Sequence, residues 1–310
     1  MKIGKVQIEG ILSLAPMAGY GDIAFRRLCR DYGAALTVTE MVSVKGLLYG
    51  SEKTDSLLRL APNETPSCVQ LFGYEPNDFY RALQLPCLAP FDIIDINMGC
   101  PVPKIVKNGE GSALLSNAAR AADIVRACVA AGHGKPVTVK IRLGRNEGEF
   151  VALDFAEKME KAGAAAITVH GRTAAQGYRG KADWAKIAEV VKYVSVPVIG
   201  NGDVRSLEEA EARIKETGCQ MVAVGRGSLG RPTMFSERAK DPLLAVILKH
   251  IEYALLYFPE RVAVQTLRKH LHHYLAGLKG GKELRLRVNA CERAEELKEI
   301  LTQGLAPDGE

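Results

Sequence analysis

The sequence lacks the paired cysteines that a disulfide framework or a structural zinc site would need. Its seven cysteines are an odd number, and they are scattered without a Cys-x-x-Cys pair. This usage is typical of proteins from the reducing cytosol. We therefore predict a cytoplasmic protein that holds no metal ion.

The sequence also has no long apolar run and no strong excess of one charge. No apolar stretch is long enough to span a bilayer. Lys2 and Lys5 precede a short apolar stretch, but Glu9 and Gly10 interrupt it before it reaches the length of a signal peptide. The formal net charge of +5 is modest. The sequence thus predicts no contact with a membrane, and no obligate protein partner is evident from it.

Apolar residues, in contrast, are abundant and regularly spaced. They make up 47% of the chain, which is enough for the large core of a globular protein. Short apolar strands alternate with amphipathic helices, and this alternation predicts a parallel sheet. The eight predicted strands cover residues 11–15, 36–42, 67–71, 91–94, 137–141, 165–169, 196–199 and 221–224. Eight such units predict an α/β fold, a (β/α)₈ TIM barrel, with an open doubly wound sheet as the alternative.

The pattern changes after Pro242, where no further strand-like run follows. The apolar periodicity predicts three helices there, over residues 243–257, 262–278 and 283–301. We therefore divide the chain into a catalytic barrel at 1–241, a small helical domain at 242–305 and a frayed tail at 306–310.

A cysteine follows the fourth predicted strand, in the segment that runs from Asp95 to Pro101. Gly99 and Pro101 end the strand abruptly, so Cys100 lies just beyond its carboxyl end. Ligands and catalytic groups gather at this end of the strands in a barrel or an open sheet. A thiol there can act as a nucleophile, a general acid or a metal ligand, or it can simply be a small buried residue at a tight turn.

Other polar residues fall on the same predicted rim, among them Gln70, Asn97, Lys140 and His170. Lys140 and Arg142 lie within one strand, so one of the two charges must face the core or a site. A lysine inside a strand needs an anionic or carbonyl partner, unless it reaches out to water. His170 can likewise be a ligand-binding residue or an ordinary turn residue.

Glycine-rich loops follow the last two predicted strands. Residues 225–230 fit the pattern G-x-G-x-x-G, but no further strand follows to complete a dinucleotide-binding unit. Together with the segment from Gly200 to Asp203, they predict the phosphate site that barrels form after strands seven and eight. A phosphate site, a rim lysine and a rim thiol fit FMN, and Lys140 would then stabilise negative charge on the reduced ring.

Several segments resemble the tRNA-dihydrouridine synthases, most closely the bacterial B-type group. The matching segments cover nearly the whole chain, at residues 14–19, 37–43, 95–101, 111–115, 139–142, 170–173, 200–204, 225–232 and 268–270. The loop at 19–22 and Arg145 depart from the usual pattern of these enzymes. The resemblance implies an FMN site at Pro16, Met17, Ala18, Gln70, Lys140, His170, Asn201, Gly202, Asp203, Gly225 and Arg226.

The same resemblance implies NADPH as reductant and a uridine of tRNA as substrate. Hydride would add to C6 of uracil, and Cys100 matches the residue that protonates C5. A thiol near its reference pKa of about 8.5 stays protonated at neutral pH and can donate that proton. Asn97 would hold the uracil.

The helical tail carries most of the positive charge. Between Arg261 and Arg293 there are eight lysines and arginines against two acidic residues. A flavin cannot reach a stacked base, so the uridine must be flipped out, and a basic surface would hold the tRNA around it. We expect Lys104, Arg268 and Lys269 to contact tRNA, although such a segment can also be a solvated helix face.

Two other functions stay open at this point. One is a flavoprotein that acts on free pyrimidines, as dihydroorotate dehydrogenase does, and the other is an RNA-binding barrel without chemistry. The first would not need a basic helical tail, and the second would not need Cys100 and Lys140.

Overall fold

Eight parallel strands form a closed barrel in the computed structural model, which describes residues 1–237 and 239–305. The tail predicted at 306–310 lies outside the described residues. After a short N-terminal hairpin, the barrel strands follow in chain order, and the last of them closes the barrel against the first. The strands are β1 (Lys2–Ile3), β2 (Val6–Gln7), β3 (Leu12–Leu14), β4 (Leu36–Ser43), β5 (Ser67–Phe72), β6 (Ile93–Met98), β7 (Val137–Arg142), β8 (Ala166–His170), β9 (Val198–Asn201) and β10 (Met221–Val224). Closure confirms the predicted (β/α)₈ barrel.

Helices surround the barrel and form the tail. They are α1 (Ile23–Asp31), α2 (Val44–Leu48), α3 (Glu52–Leu57), α4 (Pro76–Ala82), α5 (Pro103–Lys107), α6 (Ala118–Ala131), α7 (Ala152–Lys161), α8 (Trp184–Tyr193), α9 (Leu207–Thr217), α10 (Leu243–Tyr257), α11 (Glu260–Tyr274), α12 (Gly281–Ala290) and α13 (Ala294–Gly304). Asp22 caps the beginning of α1, because its carboxylate accepts a hydrogen bond from the N–H of Phe25 at 3.1 Å. Across residues 1–237 and 239–305, no helix is both long and apolar enough to cross a membrane.

The strand before Cys100 is longer than predicted. It was expected at 91–94, but β6 continues to Met98, so Asp95 and Asn97 lie within the strand. Successive side chains of a strand point to opposite faces. Ile94, Ile96 and Met98 pack against the surrounding helices. Asp95 and Asn97 therefore face the barrel interior, on the side where a ligand would bind.

The N-terminal hairpin covers the opposite end of the barrel. Ile3 and Ile8 are 1% and 0% exposed. They pack in one cluster with residues at the beginnings of the strands, such as Ile93 and Met221. Solvent is thus excluded from the amino ends of the strands, and the open end is the one that carries the predicted site.

The tail contains four helices where three were predicted. The third predicted helix, at 283–301, is interrupted between α12 and α13, where Cys291 and Arg293 have extended backbones. Side chains from α11 compete for the backbone groups at this break. Arg268 donates to the carbonyl of Cys291 at 2.7 Å, and Glu260 accepts from the N–H of Ala294 at 2.8 Å. The prediction was wrong because tertiary contacts end these helices, and no glycine or proline marks the position.

The tail lies against the open end of the barrel. α10 packs on α1, and α11 packs on α10. α11 also meets two rim loops, because Lys269 lies over the ring of Tyr20 at 5.4 Å and a Cβ at Gly230 would lie 2.5 Å from the carbonyl oxygen of His273. Apolar residues of the tail join the same core as the barrel helices. Whether 242–305 is a separate domain stays a prediction.

Candidate active site

The loop that carries Cys100 is held by hydrogen bonds on both sides. The side-chain oxygen of Asn97 accepts from the N–H of Gly99 at 3.2 Å and from the N–H of Cys100 at 2.9 Å. The carbonyl of Cys100 accepts from the N–H of Ser112 at 3.0 Å. Gly111, at a φ of +60°, lets this second segment approach, because a Cβ there would lie 2.8 Å from the Cys100 carbonyl oxygen. The half-buried thiol therefore has a defined position at the rim.

Burial keeps the thiol of Cys100 protonated. Burial raises the pKa of Cys100, and this effect outweighs the N–H of Val102 and the charges of Arg142 and Lys140, which favour the thiolate. A protonated thiol is a poor nucleophile and a poor metal ligand, but it can donate a proton. Of the roles that the sequence left open, the general acid fits best. No three metal-ligating side chains cluster in the described part of the chain.

Two amide side chains lie beside this loop. Asn97 donates to the amide oxygen of Gln70 at 2.8 Å, and Gln70 donates to the carboxylate of Asp95 at 2.7 Å. Both amides are buried, with 8% and 1% exposure. The oxygen of Asn97 already serves the Cys100 loop, and its nitrogen also contacts the sulfur of Met41 at 3.8 Å. A ligand could therefore take only the N–H that now makes this weak contact. Its role in holding uracil stays a prediction.

Lys140 and Arg142 both face the barrel interior, because residues two apart in a strand share a face. The sequence required this of only one of them. Lys140 donates to the side-chain oxygen of Asn201 at 3.1 Å. Burial and the neighbouring Arg142 lower the pKa of Lys140 to about 8. Arg142 is 3% exposed and donates to the carbonyls of Gly99, Thr173 and Gly177.

The opposite part of the rim is strongly cationic. Arg172, 1% exposed, donates to the carboxylate of Asp203 at 2.6 Å. Arg226, with a side chain 52% exposed, lies 3.6 Å from the same carboxylate. Burial, followed by the charges of Lys140, Arg142, Arg172 and Arg226, lowers the pKa of His170 well below its ordinary value. His170 is therefore neutral at pH 7 and can accept or donate one hydrogen bond.

Glycines bring three rim loops together in this cationic region. Gly202 has a φ of +143°, and a Cβ there would lie 2.4 Å from the Cβ of Ala182. A Cβ at Gly227 would lie 2.0 Å from the carbonyl oxygen of Val204, so the loops after β9 and β10 touch. Gly225 faces Met17, since its Cβ would lie 3.6 Å from the Met17 sulfur. The predicted segments at 16–18, 201–203 and 225–226 thus form one surface.

This surface fits the phosphate of a bound flavin. Four cations surround His170. Two carboxylates, Asp203 and Asp95, partly offset their positive charge. The excess of positive charge calls for an anionic ligand, and glycine backbones allow its close approach. Asp203 itself would repel a phosphate. Asp203 accepts from Arg172 and from the N–H of Ala182, so it links these rim loops, and its predicted contact with the cofactor stays a prediction.

Sequence reasoning missed three side chains that line the site. Arg142 could have been found from its spacing to Lys140, and Arg172 lies two residues beyond His170. Tyr178 gave no signal. Its ring lies under Arg226 at 4.1 Å and near Arg142 at 5.8 Å, and it remains 59% exposed at the mouth of the site.

The residues expected to contact tRNA differ in exposure and in their present contacts. Lys104 is exposed on α5, directly after the Cys100 loop. Lys269 is half-buried over Tyr20 at the rim. Arg268 is engaged with the carbonyl of Cys291 and supports the packing of the tail. Their contacts with tRNA stay predictions.

The closed parallel barrel, the cationic glycine-lined surface and the protonated thiol define a class of protein: a barrel enzyme with a site for an anionic ligand at the carboxyl ends of its strands. Its sequence matches the family "Dihydrouridine synthase (Dus)" over residues 13–306. The chain therefore belongs to the dihydrouridine synthase family, and the resemblance predicted from its motifs is confirmed.

Curated relatives match over nearly their whole lengths. "Probable tRNA-dihydrouridine synthase 1" of Synechocystis sp. is 38% identical over 320 residues, which cover 99% of this chain and 89% of that protein. "tRNA-dihydrouridine synthase B" of Pseudomonas aeruginosa is 38% identical over 305 residues, which cover 94% of this chain and 92% of that protein.

Solved structures share the fold at low sequence identity. Histamine dehydrogenase from Rhizobium sp. 4-9 superposes with a TM-score of 0.61 at 14% identity. The match covers 82% of this chain and 50% of that longer chain. At this identity the similarity concerns the barrel architecture alone.

Proposed function

We propose that this protein reduces a uridine of tRNA to 5,6-dihydrouridine, with FMN as its bound cofactor and NADPH as the reductant. The observation that carries the proposal is the thiol of Cys100, buried enough to stay protonated, on the same rim as a cationic surface. The names of the curated relatives support tRNA as the substrate.

FMN would be held by two groups of residues. Its phosphate fits beside Arg226 and the backbone of Gly202 and Gly225, with Arg172 and Asp203 fixing the loops. Its ring would lie between the loop at 16–18 and the inward-facing side chains of Gln70 and Lys140. Lys140 is already oriented by Asn201 at 3.1 Å, so little reorganisation would be needed when reduction places negative charge on the ring.

The reaction requires one hydride and one proton. When bound, reduced FMN would supply the hydride that adds to C6 of the uracil. The C5=C6 bond is conjugated to the C4 carbonyl, so this addition leaves a basic carbon at C5. Cys100 would give its S–H proton to C5 and regain a proton from water. A raised thiol pKa suits this role, because the thiol must be protonated before each turnover.

A tRNA uridine would have to leave its stack to reach this site. The position of α11 at the rim supports a polynucleotide substrate, because Lys269 and the exposed Lys104 lie near the open end of the barrel. Asn97 would hold the uracil through its remaining N–H. A free pyrimidine would not need these groups, so we favour tRNA over the dihydroorotate dehydrogenase-like alternative.

The test is direct. Protein purified from cells should be yellow and release FMN on denaturation. With NADPH and tRNA from cells that lack dihydrouridine, it should form dihydrouridine, and it should leave free uridine and orotate-type substrates unchanged. A colourless protein that binds tRNA would support the RNA-binding barrel, and activity on free pyrimidines would support the second alternative.

A further inference from the structure

Asp95 is a buried carboxylate to which neither the sequence nor the proposed function gives a role. It lies within β6 and is 5% exposed. In the region that the structure describes, no cation forms a salt bridge with it at short range; instead Thr138 donates to one carboxylate oxygen at 2.6 Å and Gln70 to the other at 2.7 Å. Burial raises the pKa of Asp95, whereas these hydrogen bonds and Lys140 favour its charged form. Such a group is costly to bury, so its position calls for an explanation.

Two amides connect Asp95 to the reactive loop. Gln70 donates to Asp95, and the oxygen of Gln70 accepts from Asn97 at 2.8 Å. The oxygen of Asn97 then accepts from the N–H groups of Gly99 and Cys100 at 3.2 and 2.9 Å. A continuous chain of hydrogen bonds thus runs from the carboxylate to the backbone of the residue that carries the thiol.

The groups at the two ends of this series of hydrogen bonds fix the orientation of both amide side chains. A carboxylate can only accept, and a backbone N–H can only donate. Gln70 must therefore turn its nitrogen toward Asp95, and Asn97 must turn its nitrogen toward Gln70. If Gln70 were reversed, its N–H would meet the N–H of Asn97. If Asn97 reversed as well, the two N–H groups of the loop would lose their acceptor.

We propose that Asp95 is a positioning residue that orients Gln70 and Asn97 and thereby holds the Cys100 thiol at its place on the rim. The inference deepens the proposed function, on which its catalytic meaning rests.

The test replaces Asp95 with asparagine, which has the same shape but can also donate. The new asparagine could then bond to either the nitrogen or the oxygen of the Gln70 amide. Asn97 would no longer be held in one orientation, and its oxygen would no longer be a fixed acceptor for the Cys100 loop. A looser loop exposes the thiol to water and lowers a pKa that burial has raised. We expect iodoacetamide to alkylate Cys100 faster between pH 7 and 8, measured by mass spectrometry on the peptide that contains it. We expect dihydrouridine formation to fall by about 10- to 100-fold while flavin content and NADPH oxidation persist.

A matched control lies one residue before the same strand. Asp92 accepts from the N–H and the hydroxyl of Ser67 at 2.8 and 3.0 Å, at the closed end of the barrel. Asp92→Asn should lower thermal stability without changing the alkylation rate. Asp95→Asn in a Cys100→Ala background should cause a much smaller loss of dihydrouridine formation than in the wild type, because its main effect acts through the thiol.

Unchanged alkylation and unchanged dihydrouridine formation in a folded Asp95→Asn protein would overturn the proposal. So would a parallel loss in the Cys100→Ala background. If Asp95→Asn fails to fold, Thr138→Val removes one of the two hydrogen bonds to Asp95 and should accelerate alkylation in the same direction, by less. A wild-type protein that forms no dihydrouridine would refute the proposed function, and the alkylation comparison would still decide the role of Asp95.

Discussion

The half of the barrel rim that carries Cys100 and the half that carries Arg226 are built from different polar groups. The Cys100 half relies on neutral amides, whose hydrogen bonds run in one direction from Asp95 to the loop. The Arg226 half relies on net charge and on glycine backbones, with an ion pair between the buried Arg172 and the exposed Asp203. Lys140 lies between them and is oriented by Asn201.

This difference matches two tasks. Binding an anion needs positive charge and room for close approach, and it tolerates some variation in geometry. Transferring a proton to one carbon needs a defined position of the donor, and a high positive charge beside the thiol would favour its thiolate. The structure meets the two requirements on different strands of the same barrel, and burial outweighs the charges of Arg142 and Lys140 that still reach Cys100.

The largest effect is expected when the thiol is removed from the Cys100 half of the rim. Cys100→Ala should keep FMN and its reduction by NADPH, but dihydrouridine formation should fall by about 10²–10⁴-fold because the general acid is lost. Single-turnover assays on tRNA would measure this. Cys87→Ala, which removes an exposed thiol, is the control. Wild-type turnover in Cys100→Ala would mean that Cys100 is only a turn residue.

The next prediction concerns the loss of a positive charge from the Arg226 half of the rim. Arg226→Ala should weaken FMN retention by about 10- to 100-fold, the value of one charge-assisted hydrogen bond. Flavin fluorescence during dilution or dialysis would measure the dissociation constant. Lys192→Ala removes an equal charge from the exposed surface of α8 and should leave retention unchanged. Equal FMN retention in both variants would mean that Arg226 does not contact the phosphate.

A third prediction concerns which part of the molecule loses stability at acidic pH. The Cys100 half has no histidine, whereas His250 is buried where the tail meets α1, beside Asp22, Lys269, His270 and Tyr274. Burial, followed by the neighbouring His270, lowers the pKa of His250 from 6.5 to about 3. Between these values the unfolded chain binds a proton that the folded chain resists, so stability falls as the pH falls below 6.5.

His250 alone should reduce the free energy of unfolding by about 2 kcal/mol between pH 7 and pH 5. Denaturant titrations at several pH values would measure it. His250→Gln should flatten this dependence, while His133→Asn, at an exposed histidine with a φ of +51°, should not. An identical slope in His250→Gln and wild type would show that His250 binds a proton equally well in the folded and the unfolded chain.

The smallest effect concerns the tail. Because Arg268 is bound to the carbonyl of Cys291, its loss would disturb packing as well as charge. Lys282 and Arg287 are exposed on α12 and test charge more cleanly. Their joint replacement by alanine should flatten the salt dependence of tRNA affinity by roughly one unit per lost phosphate contact.

Flavin content and NADPH oxidation should not change in this variant. Lys158→Ala with Lys192→Ala removes the same charge from α7 and α8 and serves as the matched control. Equal affinities and parallel salt dependences in all three proteins would mean that this face of the tail is only solvated. The tRNA would then depend on the rim itself, where Lys104 is exposed on α5.

Much of the site follows from local rules. Alternation along a strand places Asn97, Lys140 and His170 inside the barrel, because each is flanked by apolar residues that face the helices. The same rule would have assigned Asp95 and Arg142 to the interior had the two predicted strands been extended to Met98 and to Arg142. Glycines mark the ends of the strands because they alone fit the close approaches at 202 and 227.

Pairing between distant segments, in contrast, depends on how the strands close into a barrel. Arg172 and Asp203 are 31 positions apart, and Asn97 and Gln70 are 27 positions apart. No local pattern says which inward-facing residue meets which, because that depends on register between neighbouring strands. The break between α12 and α13 has the same origin, since Arg268 and Glu260 reach it from another helix. Local periodicity therefore set the residues that face the site, and the tertiary structure decided which of them became partners.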